Sequence, residues 1–276
     1  MAKPTQLKEE GNRRFQAGDY VMAEALYSQA LIADPSNPAL YTNRAMARLK
    51  LSQWDSAVAD CTACLALAPS NIKAHYSLSQ AHLALRAYDD AVTHALEAHA
   101  LSAKAADKSL GTITAHVLKC KKERWDDAEK RRVREVSALE REVMELLRRE
   151  REVAVREAGG DGIGGDALQR EVDEEWEDKM LKMREVFEKA RPVEEQKRRE
   201  VPDWAIDDIS FGVMVDPVIT KTGKSYERAS IVEHLRRQPT DPLTREPLYA
   251  AELRPNLDLK QACEEFLEEN GWAADW

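Results

Sequence analysis

The chain has 276 residues, of which 43% are apolar, 33% charged and only 6% aromatic, and it carries a net charge of -9. That length allows two or three small domains rather than one large core, and the composition suits a helix-rich protein with long solvated helices. The acidic balance argues against nucleic acid as a main partner; no run approaches the roughly 18 apolar residues of a membrane helix, and the segment from Met1 to Glu10 lacks a signal-peptide core, so a cytosolic location with access to the nucleus is expected.

Written in rows of 34 from Pro4, Pro38 and Ile72, the first part of the chain aligns without a gap. Ala23, Ala57 and Ala91 fall in one column, Ala30, Cys64 and Ala98 in another, and Tyr20, Trp54 and Tyr88 in a third. Pro35 and Pro69 close the first two rows, with Ala103 in that place in the third. Period and pattern are those of the tetratricopeptide repeat, a helix-turn-helix unit. Small side chains let the paired helices approach closely, and the proline ends the second helix because it cannot continue it. Three units are predicted, sealed by a further helix from about Thr112 to Glu123 whose apolar stripe covers the open end, so that the repeat domain spans residues 4–123. Cys61 and Cys64 fall inside this pattern. One such pair is half a zinc site, and no second pair or histidine stands at a usable distance; buried, reduced packing thiols are expected, and no metal.

In such a stack the first helix of each unit lines the concave face. Lys8 and Asn12, four apart, share one face of the first helix; Asn43 sits on the equivalent helix of the second unit and Lys73 at the start of the third. Two ammonium groups and two amides converging on one groove would receive an extended peptide carrying carboxylates. These residues resemble the carboxylate clamp of chaperone-binding tetratricopeptide domains. The resemblance implies, as partner, the Glu-Glu-Val-Asp tail of cytosolic heat-shock chaperones of the seventy- and ninety-kilodalton classes. Ser77 departs from the pattern, standing where several clamps carry an arginine, and Tyr76 beside it would pack an apolar residue of the tail.

Residues 124–200 are dense in Arg, Lys and Glu and are broken once, at 159–166, by Gly159-Gly160-Asp161-Gly162-Ile163-Gly164-Gly165-Asp166. So many glycines do not suit a helix interior and mark a loop between two long helices; without a preceding strand or a following Gly-Lys-Ser/Thr the run is no phosphate loop. Before it, Val136, Leu139, Val143, Leu146 and Val153 keep helical spacing; after it, Leu168, Val172, Trp176, Met180, Met183, Phe187 and Ala190 form a second stripe. Narrow stripes flanked by charge mark a coiled-coil seam. A hairpin with apolar area left for a second copy, hence a homodimer, is expected; an intramolecular spacer would use the same seams.

Residues 201–276 are of a different kind: short strands, prolines and a closing helix. Lys221-Thr222-Gly223-Lys224 reads as a hairpin turn between Val218-Ile219 and Ser225-Tyr226. Helices are predicted from Arg228 to Arg237 and from Leu257 to Asn270, with a second loop through Asp241-Pro242-Leu243-Thr244-Arg245. This segment resembles the U-box through Asp216-Pro217-Val218, Gly223 with Ser225-Tyr226-Glu227-Arg228, Asp241-Pro242-Leu243-Thr244, Pro247-Leu248, and Pro255-Asn256 with Leu259-Lys260. In the related RING domain zinc holds the two loops together. Here Cys263 is the segment's only cysteine, so hydrogen bonds, ion pairs and a small core must fix them, without metal or cofactor. The resemblance implies that Ile209, Phe211 and Pro242 form a shallow apolar groove for a ubiquitin-conjugating enzyme. It gives Arg245 the place that bridges this enzyme and ubiquitin, so that a lysine attacks a pre-oriented thioester. Gly212 stands where relatives carry a larger, commonly acidic side chain. His234 is expected to pack or hydrogen-bond rather than act as a base.

The expected fold is therefore mainly α: a tetratricopeptide superhelix, a charged helical hairpin, and a small α+β U-box. That order, together with the ending Phe266-Leu267-Glu268-Glu269-Asn270-Gly271-Trp272, resembles the CHIP family of chaperone-linked ubiquitin ligases, which transfer ubiquitin from a conjugating enzyme to chaperone-bound clients. Two other readings use the same residues: a non-enzymatic co-chaperone competing for chaperone tails, and a ligase whose repeats bind acidic substrate C-termini directly.

Overall fold

The computed structural model describes residues 3–158, 165–190 and 200–276. Its first six helices form three pairs: α1 (Pro4–Gln16) with α2 (Tyr20–Ala33), α3 (Pro38–Lys50) with α4 (Trp54–Leu67), and α5 (Ile72–Ala84) with α6 (Tyr88–Lys104). Their ends follow from local chemistry. Pro4 and Pro38 open α1 and α3, where a missing N–H costs nothing. The side chains of Asp19, Asn37 and Asn71 accept from the N–H of Met22, Ala39 and Ala74 and cap α2, α3 and α5. Inside each pair the turn needs a left-handed residue at one column: Gly18 (φ 81°), Ser52 (φ 58°) and Arg86 (φ 61°). The small columns do what the repeat requires. Ala23, Ala57, Ala91, Ala30, Cys64 and Ala98 are all fully buried where paired helices meet.

The sealing helix does not end near Glu123. It belongs to α7, which runs from Leu110 to Ala158. Between Thr112 and Ala158 there is neither proline nor glycine to stop it, so a boundary at 123/124 has no counterpart in the backbone. Packing divides the chain into one unit made of the segment up to Trp125 with Val201–Trp276, and a second made of Asp126–Glu200, so the divisions fall at 125/126 and 200/201.

In the first unit the apolar residues that close the repeat stack carry a further layer. Val215 packs among Ala91, Val92, Ala95, Val117 and Cys120, and Leu118 packs on a core of Val201, Ala205, Val213, Met214, Cys263, Leu267 and Ala273. Gly271 lies so close to Trp125 that a side chain there would run into the indole, and the Trp125 Nε1–H donates to the Glu269 carbonyl at 3.3 Å. The C-terminal segment itself holds a three-stranded antiparallel sheet in the order β2–β1–β3: β1 (Pro217–Ile219), β2 (Ser225–Glu227) and β3 (Arg254–Pro255). Val218 pairs with Tyr226 on one side and Pro255 on the other. Helices α9 (Arg228–Arg237) and α10 (Leu257–Glu269) complete it, with Val218, Tyr226, Ile231, Leu235 and Leu248 as a second small core.

The second unit pairs the later part of α7 with α8 (Gly165–Ala190). The Arg151 guanidinium holds Asp173 at 2.7 Å and Glu177 at 3.1 Å, and the Gln169 amide donates to the Val155 carbonyl at 3.1 Å. Advancing along α7 therefore retreats along α8: the two are antiparallel, with Met144, Met180 and Phe187 buried. Gly159–Gly164 of the glycine run lie outside the described residues, and Gly165 and Asp166 already belong to α8. The α7 stripe is corrected in part. Val136 and Val143 are half-buried beside Met144, but Leu139, Leu146 and Val153, seven apart, are left exposed, as is Leu168. On α8 the residues Val172, Trp176, Met180, Met183 and Phe187 are buried or half-buried as expected, while the Ala190 side chain lies outside the described set. The architecture is mainly α with a small α+β segment, as the sequence implied.

Candidate functional site

Among the described residues, two places bring together side chains expected to bind partners. The first is a groove of about 300 Å³ in the repeat stack, lined by Asn12 and Phe15 of α1, Tyr27 of α2, Asn43 and Met46 of α3, and Lys73 of α5. Asn12 is its hub. Its Oδ1 accepts from the Tyr27 hydroxyl at 2.8 Å and from Asn43 Nδ2 at 3.0 Å, which fixes both amides and leaves the Asn12 NH₂ to donate elsewhere. Tyr27 reaches this position because residue 11 is glycine: a Cβ there would stand 2.6 Å from the tyrosine ring. Burial raises the Tyr27 pKa, so its hydroxyl stays a donor.

Of the five residues expected to grip an acidic tail, the structure brings three together, Asn12, Asn43 and Lys73. Lys8 stands one turn before Asn12 on the same face of α1 but does not line this groove. Tyr76 does not line it either; its ring meets His116 of α7 edge-to-face at 5.0 Å. Ser77 is buried, so a long cation at that position could not reach the groove without unpacking α5. The sequence reading missed Tyr27, whose signal was the glycine sixteen residues before it, at the same level of the paired helix.

The second place is a pair of loops built on one plan. In the first, Asp207 is fully buried; its Oδ2 accepts from the N–H and hydroxyl of Ser210 at 2.8 and 2.7 Å, and its Oδ1 from the Glu227 N–H at 3.0 Å. In the second, Asp241 is fully buried; its Oδ1 accepts from the N–H of Leu243 and Thr244 at 2.8 and 3.2 Å, and its Oδ2 from the Thr222 hydroxyl at 2.9 Å. Four residues after each aspartate the backbone turns left-handed, at Phe211 (φ 59°) and Arg245 (φ 61°). Each of these donates its N–H to the aspartate's carbonyl, at 2.8 and 2.9 Å. Each aspartate N–H donates five residues ahead, to Gly212 and Glu246 carbonyls at 2.9 and 2.8 Å. Both loops are thus anchored on the β1–β2 hairpin, through Glu227 and Thr222. Glu227 continues the frame: its buried Oε2 accepts from the N–H of Val215 and Asp216 at 2.7 and 2.9 Å, and burial holds its carboxyl above the usual range against those donors.

These frames hold out the expected docking residues. Phe211 is 72% exposed, Leu243 is 69% exposed, and Pro242 is half-buried. Ile209 is partly buried against the Val218–Tyr226–Ile231 core. Arg245 is exposed and, among the described residues, no carboxylate pairs with it. Leu243, not anticipated, adds to the apolar face. A Cβ at Gly212 would meet only the Ser210 Oγ at 3.9 Å, so that edge is open. His234 hydrogen-bonds, Nε2 to the Thr240 carbonyl at 2.9 Å, and so ties α9 to the second loop.

The chemistry open to this arrangement is presentation rather than covalent capture. All four cysteines are buried. Burial, then the Asp60 charge, pushes the Cys61 thiol up to about 12, and burial pushes Cys263 up to about 11. None offers the accessible thiolate that an acyl intermediate requires.

The U-box domain model matches residues 201–272. An Arabidopsis thaliana protein, E3 ubiquitin-protein ligase CHIP, is 31% identical over 279 residues, covering 99% of this chain and 96% of that protein. The human DnaJ homolog subfamily C member 7 is 38% identical over 89 residues, covering 31% of this chain and 18% of its own length. Among solved structures, the first TPR of Spaghetti (RPAP3) bound to the HSP90 peptide SRMEEVD is 36% identical, covering 36% of this chain and 79% of that one at a TM-score of 0.36. With similarity running over 99% of its length, through the repeats, the charged helices and the paired loops alike, the chain belongs to the CHIP family of U-box E3 ubiquitin-protein ligases.

Proposed function

We propose that this ligase takes its clients from chaperones by gripping their acidic C-terminal tails, and modifies them with ubiquitin posed on the paired loops. The observation that carries the first half is the groove: two interlocked amides and the Lys73 ammonium face one cavity of about 300 Å³. Such donors suit a terminal carboxylate with an acidic side chain beside it. Lys8, one turn away, adds a cation where an upstream acidic residue of the tail would lie, and Phe15 and Met46 accept an apolar one. The tails of the seventy- and ninety-kilodalton cytosolic chaperones have this chemistry.

For the second half, Phe211, Ile209, Pro242 and Leu243 dock the conjugating enzyme. Arg245, held by a left-handed backbone and free of any partner among the described residues, spans the enzyme and its ubiquitin. Its planar donors restrict the carrier to the orientation in which the thioester carbonyl faces an incoming lysine. The lysine amine attacks that carbonyl, the thioester C–S bond breaks, and the conjugating enzyme leaves with its thiol. The exposed residues Leu139, Leu146 and Val153 form a seam for a second copy.

A double dissociation tests the reading. Lys73→Ala or Asn43→Ala should weaken binding of an acidic tail peptide while self-ubiquitination persists; Ile209→Ala or Pro242→Ala should do the reverse. Folded variants of either kind that lose both activities would contradict the division. Client modification that survives Lys73→Ala undiminished points instead to substrates bound directly.

A further inference from the structure

Three histidines meet on the third repeat, apart from the groove and the loops: His75 and His82 on α5, and His94 on α6. His75 Nδ1 faces His94 Nδ1 at 3.3 Å. The His82 ring stacks on that of His94, with centroids 5.6 Å apart and planes 14° from parallel. All three are partly exposed.

The tautomer of His75 is set by its other nitrogen. Nε2 lies 3.0 Å from the Pro69 carbonyl, and a carbonyl only accepts. The proton therefore sits on Nε2, and the Nδ1 lone pair points at His94. A backbone carbonyl orienting an imidazole through its far N–H is the arrangement found behind histidines that ligate metals. The 3.3 Å separation is long for a hydrogen bond between nitrogens. Two nitrogens at about 2.0–2.1 Å on a tetrahedral ion, by contrast, stand about 3.3 Å apart.

We propose that His75 and His94, with His82 turning to complete the set, bind a divalent transition metal of the kind that favours imidazole, namely zinc, nickel or copper. Among the described residues no three His, Cys, Asp or Glu side chains already converge on one point; the ion enters on the His75–His94 pair, and the His82 ring, stacked beside it, rotates into the third position. Asp90 and Glu97, one turn to either side on α6, supply the negative field that opposes repulsion of a cation. A bound ion would cross-link α5, the helix that carries Lys73, to α6.

The test is calorimetric titration of the full, tag-free chain with zinc and with nickel above neutral pH, beside NMR of the histidine side chains. One equivalent should bind, the His75 and His94 imidazole resonances should move, and the thermal midpoint should rise. Binding should vanish in His75→Gln and His94→Gln and weaken in His82→Gln, each variant checked for wild-type helix content. Absence of binding by the wild type overturns the site, as does an equivalent retained by the double variant His75→Gln/His94→Gln. A His82→Gln variant that binds as tightly as wild type removes the third ligand from the proposal.

Discussion

Replacing Asp241 by Ala should dismantle the second loop and, with it, the pose of Arg245. The buried carboxylate accepts three hydrogen bonds, from Leu243 and Thr244 N–H at 2.8 and 3.2 Å and from the Thr222 hydroxyl at 2.9 Å. Bonds to a charged group are worth about 1.5–3 kcal/mol each, so the sum has an upper bound of about 9 kcal/mol. All three donors lie on exposed residues, and water recovers much of that, leaving a loss of about 3–4 kcal/mol. Asn keeps an acceptor for the two backbone donors and should cost about 1.5 kcal/mol. The assay is native-state hydrogen exchange of the Arg245 amide, which is bonded to the Asp241 carbonyl at 2.9 Å. At 1.4 kcal/mol per decade, exchange should speed up about tenfold in Asp241→Asn and by more than two orders of magnitude in Asp241→Ala. Discharge of a ubiquitin-loaded conjugating enzyme should fall in the same order. An Ala variant with wild-type exchange and wild-type discharge would refute the claim that the aspartate stands in for a metal.

The remaining expectations concern other parts of the same frame. Burial pushes the Asp241 carboxyl up, but the Leu243, Thr222 and Thr244 donors together outweigh it and leave its pKa below the ordinary value. Its stabilisation is then complete above the unfolded value of about 3.9 and is lost as pH falls through the folded one; exchange of the loop amides should rise in acid in the wild type and stay flat in Asp241→Asn. Glu227, held above its usual range by burial, acts in the opposite sense. Ser52 and Arg86 occupy left-handed turns at φ 58° and 61°, so Ser52→Gly and Arg86→Gly should each raise stability by about 0.5–1 kcal/mol, read as a higher thermal midpoint. Leu146→Asp, on the exposed row with Leu139 and Val153, should shift light scattering towards the monomer mass while leaving the fold intact. Chelators should leave ubiquitin transfer unchanged, because aspartates rather than zinc hold the loops.

What the sequence disclosed follows from which forces are periodic. The repeat was legible because helix pairing demands a small residue at one place every 34 positions, and Ala23, Ala57 and Ala91 are all fully buried where that demand falls. The C-terminal hairpin of β1 and β2 was legible from turn chemistry at Thr222-Gly223 and from the short apolar runs beside it, whereas β3, two residues long, was not. The end of the sealing helix was not, because charged residues continue a helix as readily as apolar ones and only a breaker would have stopped it. The exposure of Leu139, Leu146 and Val153 was hidden for a related reason: spacing identifies a face but not which of two adjacent faces meets α8. Buried polar architecture was least visible. Asp60, buried and paired with Arg44 and Arg48 at 2.6 and 2.9 Å, reads in the sequence as one more surface charge. The Asp207 and Asp241 frames are spaced identically, yet only their shared hydrogen-bond pattern shows them to be the same device.

The linkage of grip to transfer is tested most directly by reconstituted ubiquitination of a client held on a chaperone, with a free acidic tail peptide added as competitor. Saturating peptide should abolish client modification while self-ubiquitination of the ligase continues at its original rate. Client modification that persists under saturating peptide would contradict delivery through the Asn12–Asn43–Lys73 groove.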